Sequence, residues 1–223
     1  LYPSLIFIAK QINKATKILV ADSPPPYTMC EYNLNFIKEA EDKVVYVGHF
    51  TNSKKIENQI ETDLEKLVKN NNFGYWMRTG NKSTNDGTGE RYEKVFHENE
   101  MKNEKRIISH ARNESSIDLV LGKDGKKYSI LDALEKKIDW IQIDIGFLSE
   151  QEKDTILNLC KYAVVNGSHT VMGEIMGGKS KPIIGIPIYD EHTNNIRWAE
   201  EKNLGVLATK TKQVTQAISK IKE

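Results

Sequence analysis

The sequence predicts an α/β fold in which a mostly parallel sheet carries helices on both faces, preceded by a partial domain. Three observations lead there. Short apolar runs of strand length alternate with amphipathic stretches of helix length over most of the chain. The 223 residues correspond to about one and a half domains at roughly 150 residues each. With 39% apolar and 28% charged residues, the composition is that of a globular chain with a sizeable core.

Leu5, Ile8 and Ile12 give Ser4–Asn13 a helical stripe, and Lys17–Asp22 reads as a buried strand ending in a carboxylate. Ser23-Pro-Pro-Pro26 stops that strand and runs extended. Val44–Gly48 is a second strand closed by a glycine, and the segment between Pro26 and Val44 carries no clear pattern. The chain opens on Leu1 in mid-pattern, as the tail of a longer unit would. The expected division is therefore residues 1–43, the remnant of an N-terminal domain and its linker, and residues 44–223, a complete second domain.

In that second domain Ile56, Ile60, Leu64 and Leu67 make a helix stripe starting near Ser53, and Phe73–Met77 is a strand. A polar loop, Thr79–Gly89, follows, and a helix over about Glu90–Glu104 leads to a strand at Arg106–Ser109. Ile117–Leu121 and Lys127–Ile130 flank Gly122-Lys-Asp-Gly125 as a hairpin. Trp140–Ile143 is a strand, and Ser149 with Glu152 caps a helix carrying Ile156, Leu157 and Cys160. The strand Tyr162–Val165 runs through Asn166-Gly-Ser-His-Thr170 into another helix. Pro182–Pro187 and Gly205–Leu207 are strands, separated by a helix over Asp190–Lys202. The last helix, Thr211–Lys222, sets Val214, Ile218 and Ile221 on one face.

Composition excludes several classes. With 32 basic and 31 acidic residues, a net of +1, the chain has no global field to collect nucleic acid. The mean hydropathy is −0.54 and no apolar run approaches the roughly 20 residues that span a bilayer. Leu5–Ala9 is too short and lacks the flanks of a signal peptide. Cys30 and Cys160 stand in unrelated contexts and build neither a disulfide framework nor a metal cluster, as in a cytoplasmic protein.

One motif matches and is rejected. Gly173-Glu-Ile-Met-Gly-Gly-Lys-Ser180 fits the nucleotide P-loop letter for letter. That loop needs a strand before it and a helix after it, so that backbone N–H groups face the phosphates. Here a helix precedes it and Pro182 opens a strand after it. The glycines therefore fall at a helix C-terminus, where the dipole repels phosphate.

The informative segment runs from Val164 to Ala208. Gly167-Ser-His-Thr170 leaves a strand and opens a helix, which presents N–H groups and a positive dipole end to an anion such as a diphosphate. Glu174 lies one turn further on, where a carboxylate can accept both hydroxyls of a ribose. Asp190, Glu191, His192 and Asn195 follow the next strand at helix spacing, a polar cluster suited to a sugar.

The order and spacing resemble the donor-binding half of GT-B glycosyltransferases, closest to the lipid-linked N-acetylglucosaminyltransferase of peptidoglycan synthesis and its archaeal relatives. Those carry Gly-Gly-His/Trp-Asn-Thr/Ser-x-x-Glu, then Gly-x-Pro-x-x-x-x-Pro, then Glu/Asp-Gln-x-x-Asn. The likeness covers roughly the last two-thirds of the chain, and the His169–Glu174 and Glu191–Asn195 intervals are kept. Three features depart: one residue is inserted between Glu174 and Pro182, Gly167-Ser168 replaces two glycines, and His192 replaces the glutamine that holds the donor sugar.

The resemblance implies a Rossmann-like C-terminal domain behind a remnant of an acceptor-side domain. It implies a hexosyltransferase moving a sugar from a UDP-sugar, with inversion and without metal or other cofactor. Gly80, Gly87, Thr88, Gly89, Ser168, His169 and Thr170 would face the diphosphate. Phe147 and Leu148 would hold the uracil, Glu174 the ribose, and Asp190, Glu191, His192 and Asn195 the sugar. The acceptor, lipid-linked or a glycan, stays unspecified. So does peripheral contact with the cytoplasmic membrane face, which would come through the first domain. Each residue also has a plainer reading: Phe147 as a core aromatic, His169 as a local hydrogen bonder, Glu174 as a surface carboxylate, Gly80–Gly89 as a flexible loop. Held in order at the family spacing, they favour the joint reading.

The catalytic base is not identified by the sequence. In the family it comes from the first domain, and His49 and Asp22 are the candidates here, neither compelling. Two alternatives remain: a donor-binding half-subunit that works with a partner chain, and a UDP-sugar epimerase of the same fold.

Overall fold

In a computed structural model of the protein, residues 10–29, 42–48, 60–78, 94–98, 101–110, 118–179 and 181–222 are described. The chain divides into two units, Leu1–Ser53 and Lys54–Glu223. In the first, β1 (Ile18–Val20) and β2 (Val44–Tyr46) form a two-stranded parallel sheet. The strand at Val44, expected at the head of the larger domain, thus pairs within the smaller one. Asp22, just past β1, is fully buried and accepts hydrogen bonds from the Ser23 and Met29 amides and the Thr28 hydroxyl. Its carboxylate fastens its own turn.

The larger unit follows in chain order. It comprises α1 (Asp63–Val68), β3 (Gly74–Met77), β4 (Arg106–Ser109), β5 (Leu119–Gly122), β6 (Lys127–Tyr128) and α2 (Ile130–Glu135), then β7 (Trp140–Ile145) and α3 (Glu150–Leu159). After these come β8 (Tyr162–Val165), α4 (His169–Gly178), β9 (Ile183–Gly185), α5 (Asp190–Glu201), β10 (Gly205–Leu207) and α6 (Thr211–Lys222). The eight strands lie in the order β10-β9-β8-β3-β4-β7-β5-β6, and all neighbours from β10 to β7 are parallel. The β5–β6 hairpin adds antiparallel at one edge. This is the expected α/β architecture, a Rossmann-like sheet flanked by helices.

Counting only the six parallel strands, the chain starts at the centre with β3, adds β4 and β7 to one side, then returns to add β8, β9 and β10 to the other. That is the 3-2-1-4-5-6 order whose reversal point lies between β3 and β8. The two faces carry different layers. Trp76, Ile108, Tyr162, Val164 and Ile184 pack with Val95, Met101 and the α6 residues Val214, Ala217 and Ile218. On the other face α1 packs on α2 and α3, and α4 on α5. No helix among the described residues is long and apolar enough to cross a membrane.

Three helix expectations change. α1 starts at Asp63, behind the Thr62 N-cap, and residues 53–59 of the expected stripe lie outside the described residues. The Thr62 hydroxyl accepts from the Glu65 amide, and the Glu65 carboxylate accepts from the Thr62 amide at 2.7 Å. Ile60, outside that cap, is 87% exposed and joins no stripe. Ile130 opens α2 rather than ending a strand, because Ser129 caps the Asp132 amide at 3.1 Å. The Glu90–Glu104 helix lies partly outside the described residues. Residues 94–96 are helical but 97–98 and 102–103 turn, so it stops short of Glu104. The rejected P-loop lies in the body and last turn of α4, with Gly178 the final helical residue and Lys179 the C-cap.

A Cβ at Gly74 would run into the ring of Tyr162, its register partner across β3 and β8. That ring is fully buried and its hydroxyl donates to Glu104 at 3.0 Å. Gly74→Ala should therefore destabilise the protein by about 1–3 kcal/mol, the usual cost of overpacking a core. Urea denaturation measures it; a change below about 0.5 kcal/mol would show that the ring gives way freely.

Candidate functional site

The reversal of strand order fixes where a ligand can lie. The helical turn following β3 (residues 94–96) covers the Trp76 face, with Phe96 set edge-on to Trp76 at 4.8 Å between centroids. The helix following β8, α4, lies over the opposite face, beside α5. In sheets of this order a ligand lies at the carboxyl ends of the strands beside the reversal, here β3 and β8; the residues that leave β3, 79–93, lie outside the described residues.

The β8 side of the reversal is tightly built. Gly167 has φ +90, and a Cβ there would meet Ile196 and the His192 carbonyl. Gly185 meets the same Ile196 side chain. Two glycines thus let α5 press one isoleucine onto both β9 and the β8–α4 loop. The loop is also tied by hydrogen bonds. Asn195 Nδ2 donates to the Gly167 carbonyl at 3.0 Å and to Glu191 Oε1 at 3.1 Å, and Asn166 Oδ1 accepts from the Ser168 amide at 3.0 Å.

Ser168 is the N-cap of α4 but its side chain makes no cap hydrogen bond, and no acidic residue stands in the first turn. The N-terminal amides and the dipole of a ten-residue helix are therefore directed at whatever occupies the loop mouth. His169 is half-buried there and Thr170 exposed. Glu174, one turn on, is half-buried and paired with Lys153 of α3 at 3.0 Å.

On the β7 side, Gly146 donates its amide to Asp118 Oδ1 at 2.8 Å, which fixes the chain just before Phe147. Phe147 is 71% exposed, so the core reading of this ring fails, and Leu148 is half-buried.

At the start of α5, Asp190 and Glu191 are exposed, whereas His192 and Asn195 are buried. Asn195 is turned inward as the loop clamp. His192 is 6% exposed, sits edge-on to Tyr189 at 5.1 Å, and its Nδ1 has no hydrogen-bond partner among the described residues. Burial lowers its pKa below the ordinary histidine range, opposed by the Glu191 carboxylate.

The structure thus brings together Ser168, His169, Thr170 and Glu174 on one helix, and joins Glu191 and Asn195 to the loop in front of it. Gly80, Gly87, Thr88 and Gly89, and also His49, lie outside the described residues. Among the described residues no three His, Cys, Asp or Glu side chains gather in a way that could hold a metal ion. The sequence reading passes over Lys153, and also over a polar cluster past β3 and β4. There Arg78, His110 and Asp144 are hydrogen-bonded in series. Their signal is positional: Arg78 is the first residue beyond β3, at the reversal point.

No family model matches the chain, and no curated protein matches it in sequence. Among solved structures, one of the glycotransferase of kitacinnamycin shares the fold, with a TM-score of 0.56 and 8% sequence identity. The match covers 94% of this chain and 47% of that one, so the chain spans about half the length of that protein.

The buried imidazole gives a pH prediction. The folded state favours neutral His192, while the unfolded chain takes up a proton near the ordinary value of about 6.5. Stability should therefore be full above that pH and be lost as the pH falls through about 6.5 toward the lower folded value. Urea midpoints compared at about pH 7.5 and about pH 5.5 should fall less in His192→Gln than in the unaltered chain. An equal fall in both would assign the effect to other groups.

Proposed function

We propose that this chain is the donor-binding part of a glycosyltransferase, a hexosyltransferase that moves a sugar from a UDP-sugar to an acceptor hydroxyl without a metal ion and with inversion. One observation carries the reading. The β8–α4 loop is clamped to the first turns of α5 through Asn195, Gly167 and Glu191. In this reading the diphosphate and sugar subsites belong to one piece held by those two hydrogen bonds. The solved glycotransferase with this fold agrees with it.

In this reading the acceptor oxygen bonds to the anomeric carbon as the bond to the diphosphate oxygen breaks. The acceptor proton goes to a base supplied by the acceptor side. The leaving diphosphate gathers negative charge at the N-terminus of α4, beside Ser168, His169 and Thr170, in a site already oriented before the reaction. Gly80, Gly87, Thr88 and Gly89 belong to the same diphosphate reading by the sequence resemblance alone. Glu174 accepts the ribose hydroxyls, exchanging part of its pairing with Lys153 for them. Phe147 stacks on the uracil, with Leu148 beside it, and Asp190, Glu191 and His192 face the sugar. Asn195 acts on that sugar through the loop it holds.

Calorimetric titration with UDP tests this. UDP should bind, with or without EDTA, and Glu174→Ala should weaken it about tenfold to a hundredfold, the value of a charge-assisted hydrogen bond. Absence of UDP binding, or UDP binding untouched by Glu174→Ala, would refute the reading.

A further inference from the structure

Two ion pairs of opposite polarity join α3 to α4. Lys153 of α3 meets Glu174 of α4 at 3.0 Å, and Asp154 of α3 meets Lys179, the C-cap of α4, at 2.6 Å. Consecutive residues of α3 thus send a cation and an anion to the same neighbouring helix, one to its second turn and one to its end. The two pairs together fix the placement of α4 along α3 better than either could alone.

α3 is itself anchored on its other side. Gln151 Nε2 donates to Glu65 Oε2 of α1 at 2.8 Å, and the Thr155 hydroxyl donates to Glu65 Oε1. Glu65 is buried and also closes the cap of α1. Lys153 stands between these two anchored residues. Its amide closes the first turn of α3 onto the Ser149 carbonyl at 2.9 Å, one turn behind Phe147 and Leu148.

A carboxylate offers about four acceptor sites. Lys153 takes one of them on Oε1, which a further donor can share, and among the described residues Glu174 has no other hydrogen-bond or ion-pair partner. Oε2 is open, and the Glu174 side chain is 36% exposed. As a stabilising contact such a pair contributes little. Its effect on the carboxylate is larger. A glutamate left to water samples many rotamers, and a ligand that needs both oxygens must select one of them. The lysine makes that selection before the ligand arrives.

We propose that Lys153 is a positioning residue of the donor site: it holds Glu174 so that both ribose hydroxyls find an acceptor, and it thereby makes the site select ribonucleotides over 2′-deoxyribonucleotides. This rests on the donor-binding reading above, in which Glu174 meets the ribose. It adds the partner that orients that carboxylate and the substrate class that follows. A sugar lacking one hydroxyl leaves an oriented acceptor unpaired, a cost that a loose side chain escapes by turning to water.

Calorimetry on the full chain compares UDP with 2′-deoxy-UDP. The unaltered chain should prefer UDP about tenfold or more, the value of a hydrogen bond to a charged acceptor. Lys153→Met, which keeps the stem and removes the ammonium, should weaken UDP about threefold to tenfold and leave 2′-deoxy-UDP nearly unchanged, so the preference contracts. Lys153→Arg should retain it. In a Glu174→Ala background, Lys153→Met should weaken UDP no further, since its effect runs through that carboxylate. An equal loss for both nucleotides in Lys153→Met would overturn the positioning role, because a lysine acting on the diphosphate or on helix packing alone does not read the 2′-hydroxyl. So would a further loss in the double variant, and equal affinity of the unaltered chain for the two nucleotides would overturn the selectivity. If the unaltered chain binds UDP and Glu174→Ala weakens it while Lys153→Met leaves the preference intact, the donor-binding reading stands and this inference fails; if the unaltered chain binds no UDP, both fail.

Discussion

The contact between Gly74 and the ring of Tyr162 is the one on which the rest of the larger unit depends. It lies between β3 and β8, the two strands at which the sheet reverses its order, and no side chain but hydrogen fits opposite that ring. The Tyr162 hydroxyl is held by Glu104, and burial among apolar neighbours raises its pKa, so it remains a donor. Closely apposed central strands place the carboxyl ends of β3 and β8 side by side. In sheets of this order, that is where a ligand lies.

Around that joint the molecule spends two more glycines on the same device. Gly167 and Gly185 stand where Ile196 of α5 needs room, and Asn195, one residue earlier, reaches the Gly167 carbonyl. A hydrophobic contact and a buried hydrogen bond therefore act on one loop from one helix. The positive φ of Gly167 turns the chain from β8 into α4 with its amides facing outward. Rigidity here has a chemical consequence: donors that need not reorganise are worth more to a developing negative charge than donors that must be gathered.

Much of this was legible in the sequence, and the exceptions have physical causes. The parallel strands read clearly because both faces are covered, which leaves continuous apolar runs such as Tyr162–Val165. The turn from β8 into α4 read clearly because the order of strand, Gly167 and helix is a local property. α1 was misplaced because an apolar stripe was followed back through Ile60, although Thr62 with Glu65 marks a capping box. α2 was missed because Ser129 and Asp132 mark a helix only six residues long, too short for periodicity to register. The inward direction of Asn195 was not legible because it depends on the helix it sits on packing against a loop 28 residues away. The Arg78–His110–Asp144 series was invisible for the same reason. Its members are 32 and 34 residues apart and meet only through strand register.

That last point bears on what a nucleotide-binding sheet can hide from its sequence. A loop that cradles phosphate by backbone amides leaves a recognisable string of small residues, because the geometry is written into consecutive positions. A cation at one strand end, held through side chains of the next two strands, leaves no string at all. Here the carboxylate of Asp144 receives hydrogen bonds from both Gln142 and His110, so its charge is shared between a buried guanidinium at one end and a rim guanidinium at the other. The floor of the sheet, where Arg106 lies under Phe96, and the end of β3, where Arg78 follows, are therefore joined by one series of hydrogen bonds. The parallel register that builds the fold is also what sets that series in line.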